Sequence, residues 1–286
     1  MKAKFGCVVL TQGKRPKQLT MAINSVLGQT GVEIDLVVVG NGFDPKSEVR
    51  TKTVFLPENI GIPAGRNAGV SAVAGDYLFF LDDDVFLPDE DFLIRAAKTF
   101  EKNNKIGLIQ PQPQDPQGLP TPRRWIPRVW VGDPDRSSKA FSLWEGATLI
   151  RREVFEEVKG WPGDFFYGHE GVALVWRVWN WGKTCEYQAD LVVAHPMVEP
   201  SSRHADFYFY NARNRQWLAN RFLPFGVKQI YLFNWFCLTR LRIGDNKPAW
   251  QAWLKGWREG KTDLSKETLK FITLVRILRW GRFLVI

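Results

Sequence analysis

The sequence is poor in the residues on which several whole protein classes depend. Its 286 residues include three cysteines, Cys7, Cys185 and Cys237, far apart and with no C-x-x-C pair. A disulfide framework and a thiolate zinc site are excluded, and a reducing compartment follows. Histidine is equally scarce, at His169, His195 and His204. No uninterrupted apolar run reaches the ~18 residues that a membrane-spanning helix needs. Met1 to Leu10 reads as a strand, not as a charged-then-apolar leader, so the expected location is the cytoplasm. No G-x-G-x-x-G follows the first strand and no G-x-x-x-x-G-K-[ST] occurs anywhere, which removes the main support for dinucleotide and P-loop readings. Acidic residues are short at one end only. From Ser201 onward the chain carries 16 Lys and Arg against 5 Asp and Glu, whereas the part before it carries 23 against 25. The net charge of +9 therefore sits in the last third, a bias that points to an anionic partner.

What is present is a folded α/β pattern, since 45% hydrophobic and 24% charged residues leave no room for disorder. Strand-like runs at 5–11, 32–40, 51–56 and 77–81 are nearly continuous in apolar residues. They alternate with an amphipathic helix carrying Leu19, Ala22, Ile23, Val26 and Leu27 and a second helix over 63–73. Strands of this kind belong in a parallel sheet covered on both faces. Seven prolines between Gln110 and Arg136 predict an irregular loop. Strand character returns over 142–151 and 191–194, with helices over 152–158 and 168–180. The final third mixes aromatic and basic residues and predicts helices around Trp250, Trp253 and Trp257 and over 265–286.

The sharpest chemical signal is Asp82-Asp83-Asp84 directly after the strand YLFF. Ligands of open α/β sheets bind beyond the carboxyl ends of strands. Three adjacent carboxylates repel one another unless a cation compensates them, and their oxygens suit a hard divalent ion. A solvated acidic turn is the plainer alternative.

Taken in order, VVLT, VVVGNG, LPENIGIPAGRNAG and GDYLFFLDDDV resemble the family 2 glycosyltransferases with the GT-A fold, from the first strand to about Pro224. The resemblance implies a Rossmann-like nucleotide-binding half with a mixed central sheet, spanning 1–110. An acceptor half at 111–224 and a C-terminal helical, basic and aromatic extension at 225–286 would follow. It also implies that the acidic cluster holds Mn²⁺ or Mg²⁺ on the diphosphate of a sugar nucleotide, with Asp84 and Asp82 on the metal, Asp83 on the ribose or sugar, and His195 completing the shell. Thr11 and Asn41 then fall at the base, and Asn59 and Arg66 at base and phosphate. Asn41 stands where many members have Asp, so UDP is favoured while dTDP and GDP stay open. Glu170, in FFYGHEG, matches the family's acidic motif near the acceptor and would be the general base of an inverting displacement. The second acidic position of that motif is Gly171 here. His169 would orient Glu170 or touch the acceptor, His204 would reach the diphosphate or start a helix, and Trp144 would wall the acceptor or pack in the core.

The implied partners are a nucleoside-diphosphate sugar and a glycan or lipid-linked acceptor of bacterial-type surface polysaccharide synthesis, with no nucleic acid. The tail at 245–286, aromatic and cationic, reads as an attachment to an anionic membrane surface, with a packed helical cap or a homo-oligomer contact as alternatives. Two other functions compete with glycosyl transfer. A sugar-phosphate nucleotidyltransferase would want a Gly-rich basic loop that LTQGKRPKQ matches poorly. A polyanion-binding module would leave the aspartates without a purpose.

Overall fold

The computed structural model describes residues 2–127, 133–197, 205–262 and 266–280, the side chains of 278–280 excepted. His204 and the chain end at 281–286 lie outside the described residues, as does part of the proline-rich stretch.

Eight strands form one mixed sheet, β1 (Lys4–Thr11), β2 (Glu33–Asn41), β3 (Lys52–Leu56), β4 (Tyr77–Asp82), β5 (Ile106–Gln114), β6 (Ser138–Lys139), β7 (Ala147–Arg151) and β8 (Thr184–Ala194). Their spatial order is β3-β2-β1-β4-β7-β5-β8-β6. The strands from β3 to β4 run parallel, as their unbroken apolar runs require, and β7 runs antiparallel between β4 and β5. One face is covered by α1 (Pro16–Leu27) and α3 (Phe92–Lys102), whose Leu19, Ile23, Val26, Phe92, Ala96 and Phe100 pack on Phe5, Val9 and Phe79. The other face is covered by α2 (Ile62–Val70), α4 (Arg152–Glu157) and α5 (Glu170–Trp181), with Val154, Ala173, Trp176 and Trp179 against Val8, Phe80 and Leu108.

The proline-rich stretch departs from expectation. Pro111 and Pro113 lie inside β5, not in a loop. Being two residues apart, they omit donors on one side of the strand only, and beyond Ile109 β7 no longer pairs with it. The pairing with β8 shifts register between Pro111 and Gln112, a bulge of the kind that admits proline.

The basic third folds as α6 (Ala205–Phe222), α7 (Phe225–Ile243), α8 (Lys247–Glu259) and α9 (Phe271–Trp280). It is packed on the sheet domain. Arg177 of α5 forms a two-pronged ion pair with Glu267 at 2.6 and 2.7 Å, and Asn180 accepts from the Lys270 amide at 2.7 Å. Trp250, Trp253 and Trp257 do share one side of α8, but that side faces inward. Trp253 is fully buried, stacked between the other two at 5.0 and 4.6 Å, with Phe236 of α7 against all three. Gly256 makes the approach possible, because a Cβ there would lie 2.1 Å from the Phe209 carbonyl oxygen of α6.

Candidate active site

The parallel register brings the first site residues together. Leu10 of β1 pairs with Asp82 of β4, so Thr11 and the aspartates emerge side by side at the carboxyl ends of their strands. Thr11 Oγ1 donates to Asp83 at 2.6 Å. Arg15, just before α1, bridges Asp83 at 3.1 Å and Asp84 at 2.6 Å. Its guanidinium is the counter-charge at the outer rim, a role the sequence reading did not assign. On the inner side Arg66 of α2, only 1% exposed, donates to Asp82 at 2.7 Å and to the Glu145 carbonyl at 2.8 Å. It lies 4.8 Å from the centre of the Trp161 ring, and its Nε and Nη1 find no partner among the described residues. Burial raises the Asp82 carboxyl above its ordinary range, against the pull of Arg66. Burial raises Asp83 too, opposed by the Thr11 hydrogen bond and Arg15.

Asn41 and Asn59 meet behind this rim. The Asn41 amide donates to Asn59 Oδ1 at 2.9 Å and to the Gly61 carbonyl at 3.0 Å, and accepts from the Ile60 amide at 2.9 Å. Both side chains thus shape the loop that opens α2. Asn67, farther along that helix, exchanges hydrogen bonds with the backbone of Trp161.

His195 arrives from the far end of β8. Phe86, just past the aspartates, pairs with Ala194, which sets His195 Nε2 3.7 Å from Asp84 Oδ2. The rings of Trp125 and Trp144 stand edge-on to the imidazole at 4.9 and 5.3 Å. Burial favours its neutral, ligating form, against the attraction of Asp84. Among the described residues no three His, Cys, Asp or Glu side chains already stand as a metal cage. Asp84 and His195 nevertheless fit a hard ion, since a gap of 3.7 Å can be spanned by two ligand bonds of ~2.1 Å each.

The acid motif lies at the start of α5. Glu170 is 2% exposed, and its Oε2 makes no hydrogen bond among the described residues. The preceding loop is strained, with Phe166 at φ 62° and His169 at φ 67°, values rare for residues with side chains. Helix α6 holds that loop. Asn214 donates to the carbonyls of Phe165, Tyr167 and Gly168 at 2.7–2.9 Å, Arg213 to that of Phe165 at 2.8 Å, and Arg215 contacts His169 Nε2 at 3.1 Å. The Arg-Asn-Arg run therefore supports the acidic residue from behind. Arg177, on the same helix as Glu170, is committed to Glu267.

The unexpected neighbour is Glu145. Because β7 runs antiparallel beside β4, the Asp82 amide donates to the Gly146 carbonyl at 2.9 Å, and Glu145 is set next to the rim. Its Oε1 accepts from the Gly171 amide at 3.0 Å. Burial and the Glu170 charge push the Glu145 carboxyl up to about 8, and burial raises Glu170 against the pull of Arg66. The signal in the sequence was the glycine at 171, where the resemblance leads one to expect a second acid.

The profile described as Glycosyl transferase family 2 matches residues 7–159, just over half of the chain. The chain belongs to glycosyl transferase family 2. It is 34% identical over 82 residues to an uncharacterized glycosyltransferase of Haemophilus influenzae and 32% identical over 114 residues to one of Nostoc sp.. These matches cover 25% and 36% of this chain and 33% and 34% of the relatives, so the chain matches about a third of their length. S. aureus TarS 1-349 superposes with a TM-score of 0.62 at 15% identity, covering 91% of this chain and 81% of that one. The mannosyltransferase PcManGT of Pyrobaculum calidifontis, in complex with GDP-Man and Mn²⁺, gives 0.58 at 15%, with 98% and 76% covered. GalNAc-T7 with UDP, GalNAc and Mn²⁺ gives 0.63 at 14%, with 92% and 55% covered. At these identities the likeness is one of fold, and the fold is GT-A.

Proposed function

We propose that this family 2 member transfers a sugar, with inversion, from a nucleoside-diphosphate sugar to a hydroxyl of a glycan or lipid-linked acceptor. The observation that supports it best is the convergence, at one end of the sheet, of the Asp82–Asp84 rim with His195 and a buried Glu170 whose Oε2 is unpaired. Glu170 takes the proton as the acceptor oxygen bonds to the anomeric carbon and the bond to the diphosphate breaks, its electron pair leaving on phosphate oxygen. A positioned base of this kind contributes roughly 10²–10⁴-fold. Asp84 and His195, aided by Asp82, would hold Mn²⁺ or Mg²⁺, which when bound neutralises the departing diphosphate. Thr11 positions Asp83 for the ribose or sugar, and the Asn41–Asn59 pair holds the loop beside the base. Arg66 donates to Asp82 and works against the effect of burial on that carboxyl, next to where the phosphates would lie.

The test is a thermal-shift series with UDP, dTDP and GDP, each with and without Mn²⁺. A nucleotide at 100 times its Kd stabilises by about 2.7 kcal/mol, and the matching one should do so only with the ion. Asp84→Ala should abolish the ion-dependent part. Indifference of wild type to every nucleotide, with and without Mn²⁺, would defeat the reading.

We also propose that the chain docks on an anionic membrane surface, through α7. This 19-residue helix buries only Tyr231, and Phe225, Ile230, Phe233 and Leu241 are 76, 48, 69 and 79% exposed. From Phe225 to Gly244 there are Lys228, Arg240 and Arg242 and no acidic residue. Among the described residues no helix is long and apolar enough to cross a membrane, so α7 would lie in the interface plane. Phe233→Glu with Leu241→Glu should release the protein from anionic vesicles, whereas wild type should sediment with them and not with zwitterionic ones. Absence of wild-type binding would refute the surface, and a dimer dispersed by the same substitutions would assign α7 to a second copy.

A further inference from the structure

The acid motif at the start of α5 is short of one carboxylate in sequence but not in space. An ideal Cβ built on Gly171 would lie 2.6 Å from Glu145 Oε1, 2.7 Å from its Cγ and 2.9 Å from its Cδ. The volume that any side chain at 171 would enter is thus filled by a carboxyl group from just before β7. The Gly171 amide holds that group at 3.0 Å. Beside it Glu170 keeps a buried oxygen with no partner among the described residues, the kind of orphan that a ligand hydroxyl satisfies.

We propose that Glu145 is the second carboxylate of the acceptor site, a positioning residue that works as a pair with Glu170 by reaching into the space Gly171 leaves bare. The inference rests on the transfer reaction proposed above. The charged groups that face the pair are Arg66 from α2 and Asp82 from β4. With one cation beside three carboxyl groups and burial raising both members, the pair shares one proton at neutral pH. When the acceptor O–H bond breaks, its proton goes to Glu170 and the pair becomes neutral. The pair returns to its starting state by losing one proton to solvent.

Glu145→Gln tests this, because it preserves shape and the Gly171 hydrogen bond while removing the ionisation. Without substrate, wild type should lose thermal stability between pH 7 and 9, as a second buried carboxylate ionises, and Glu145→Gln should not. In turnover, Glu145→Ala should lower kcat by at least about tenfold, against the 10²–10⁴-fold expected of Glu170→Gln. Glu145→Ala combined with Gly171→Asp, which restores a carboxylate from the other backbone position, should recover most of the loss. Gly171→Asp alone should impair the enzyme by crowding Glu145. Identical stability curves for wild type and Glu145→Gln, or unchanged kcat and pH profile in that variant, would overturn the pairing. Failure of wild type to transfer from any donor would instead strike the reaction, because the stability comparison needs no substrate.

Discussion

Replacing Arg66 with Met removes the cation that, among the described residues, the geometry places among Asp82, Glu145 and Glu170. The side chain is 1% exposed, and its loss strands Asp82 Oδ1 and the Glu145 carbonyl, now bonded at 2.7 and 2.8 Å. Breaking a buried pair by deleting one partner costs about 3–5 kcal/mol. At roughly 2 °C per kcal/mol for a chain of this size, Tm should fall by about 6–10 °C at pH 8. The loss must depend on pH in a definite direction. All three carboxyl groups ionise later in the folded protein than in the unfolded chain, Glu145 at about 8. Such groups contribute stability that is complete below the unfolded value of ~4.3 and is lost as pH rises through the folded one. Arg66 offsets that loss, so its removal should be felt more at pH 8 than at pH 5, where Glu145 holds its proton. Thermal unfolding of wild type and Arg66→Met across pH 5–8 measures both curves. A Tm loss as large at pH 5 as at pH 8, or one below about 2 °C at pH 8, would show that Arg66 is not the charge partner of this cluster.

Two further substitutions probe the supports of the site. Trp253→Ala should cost about 3–5 kcal/mol in urea unfolding, as a core tryptophan does, and a negligible cost would mean that the α8 stack is not structural. Gly61→Ala places a Cβ 2.5 Å from the Phe166 Cα at a backbone φ of 90°. The strain should cost about 1–3 kcal/mol and weaken the nucleotide-dependent thermal shift, because the loop that opens α2 and the one that leads to Glu170 touch there. An unchanged Tm would contradict that contact.

Local patterns were enough to place the first half of the fold. The apolar runs of β1, β2 and β4 and the amphipathic spacing of α1 are written within ten or so residues, and Asp82–Asp84 after YLFF falls at the carboxyl end of β4 as read. The prolines of β5 misled, because whether a missing donor matters depends on which neighbour stands on that side of the strand, and sequence does not say. The three tryptophans of α8 showed their common face but not its direction, since an amphipathic stripe packs equally well on lipid or on another helix. The charge partners of the site were least readable of all. Arg15 reaches aspartates 68 and 69 positions away, Arg66 reaches one 16 away, and Glu145 reaches the gap at Gly171 from 26 positions away. Composition and periodicity act along the chain and settle the identity of each strand and helix. The pairing of carboxylates with cations, and of a bare glycine with a distant glutamate, depends on the antiparallel turn of β7 into the parallel sheet, which only the packing of the whole chain decides.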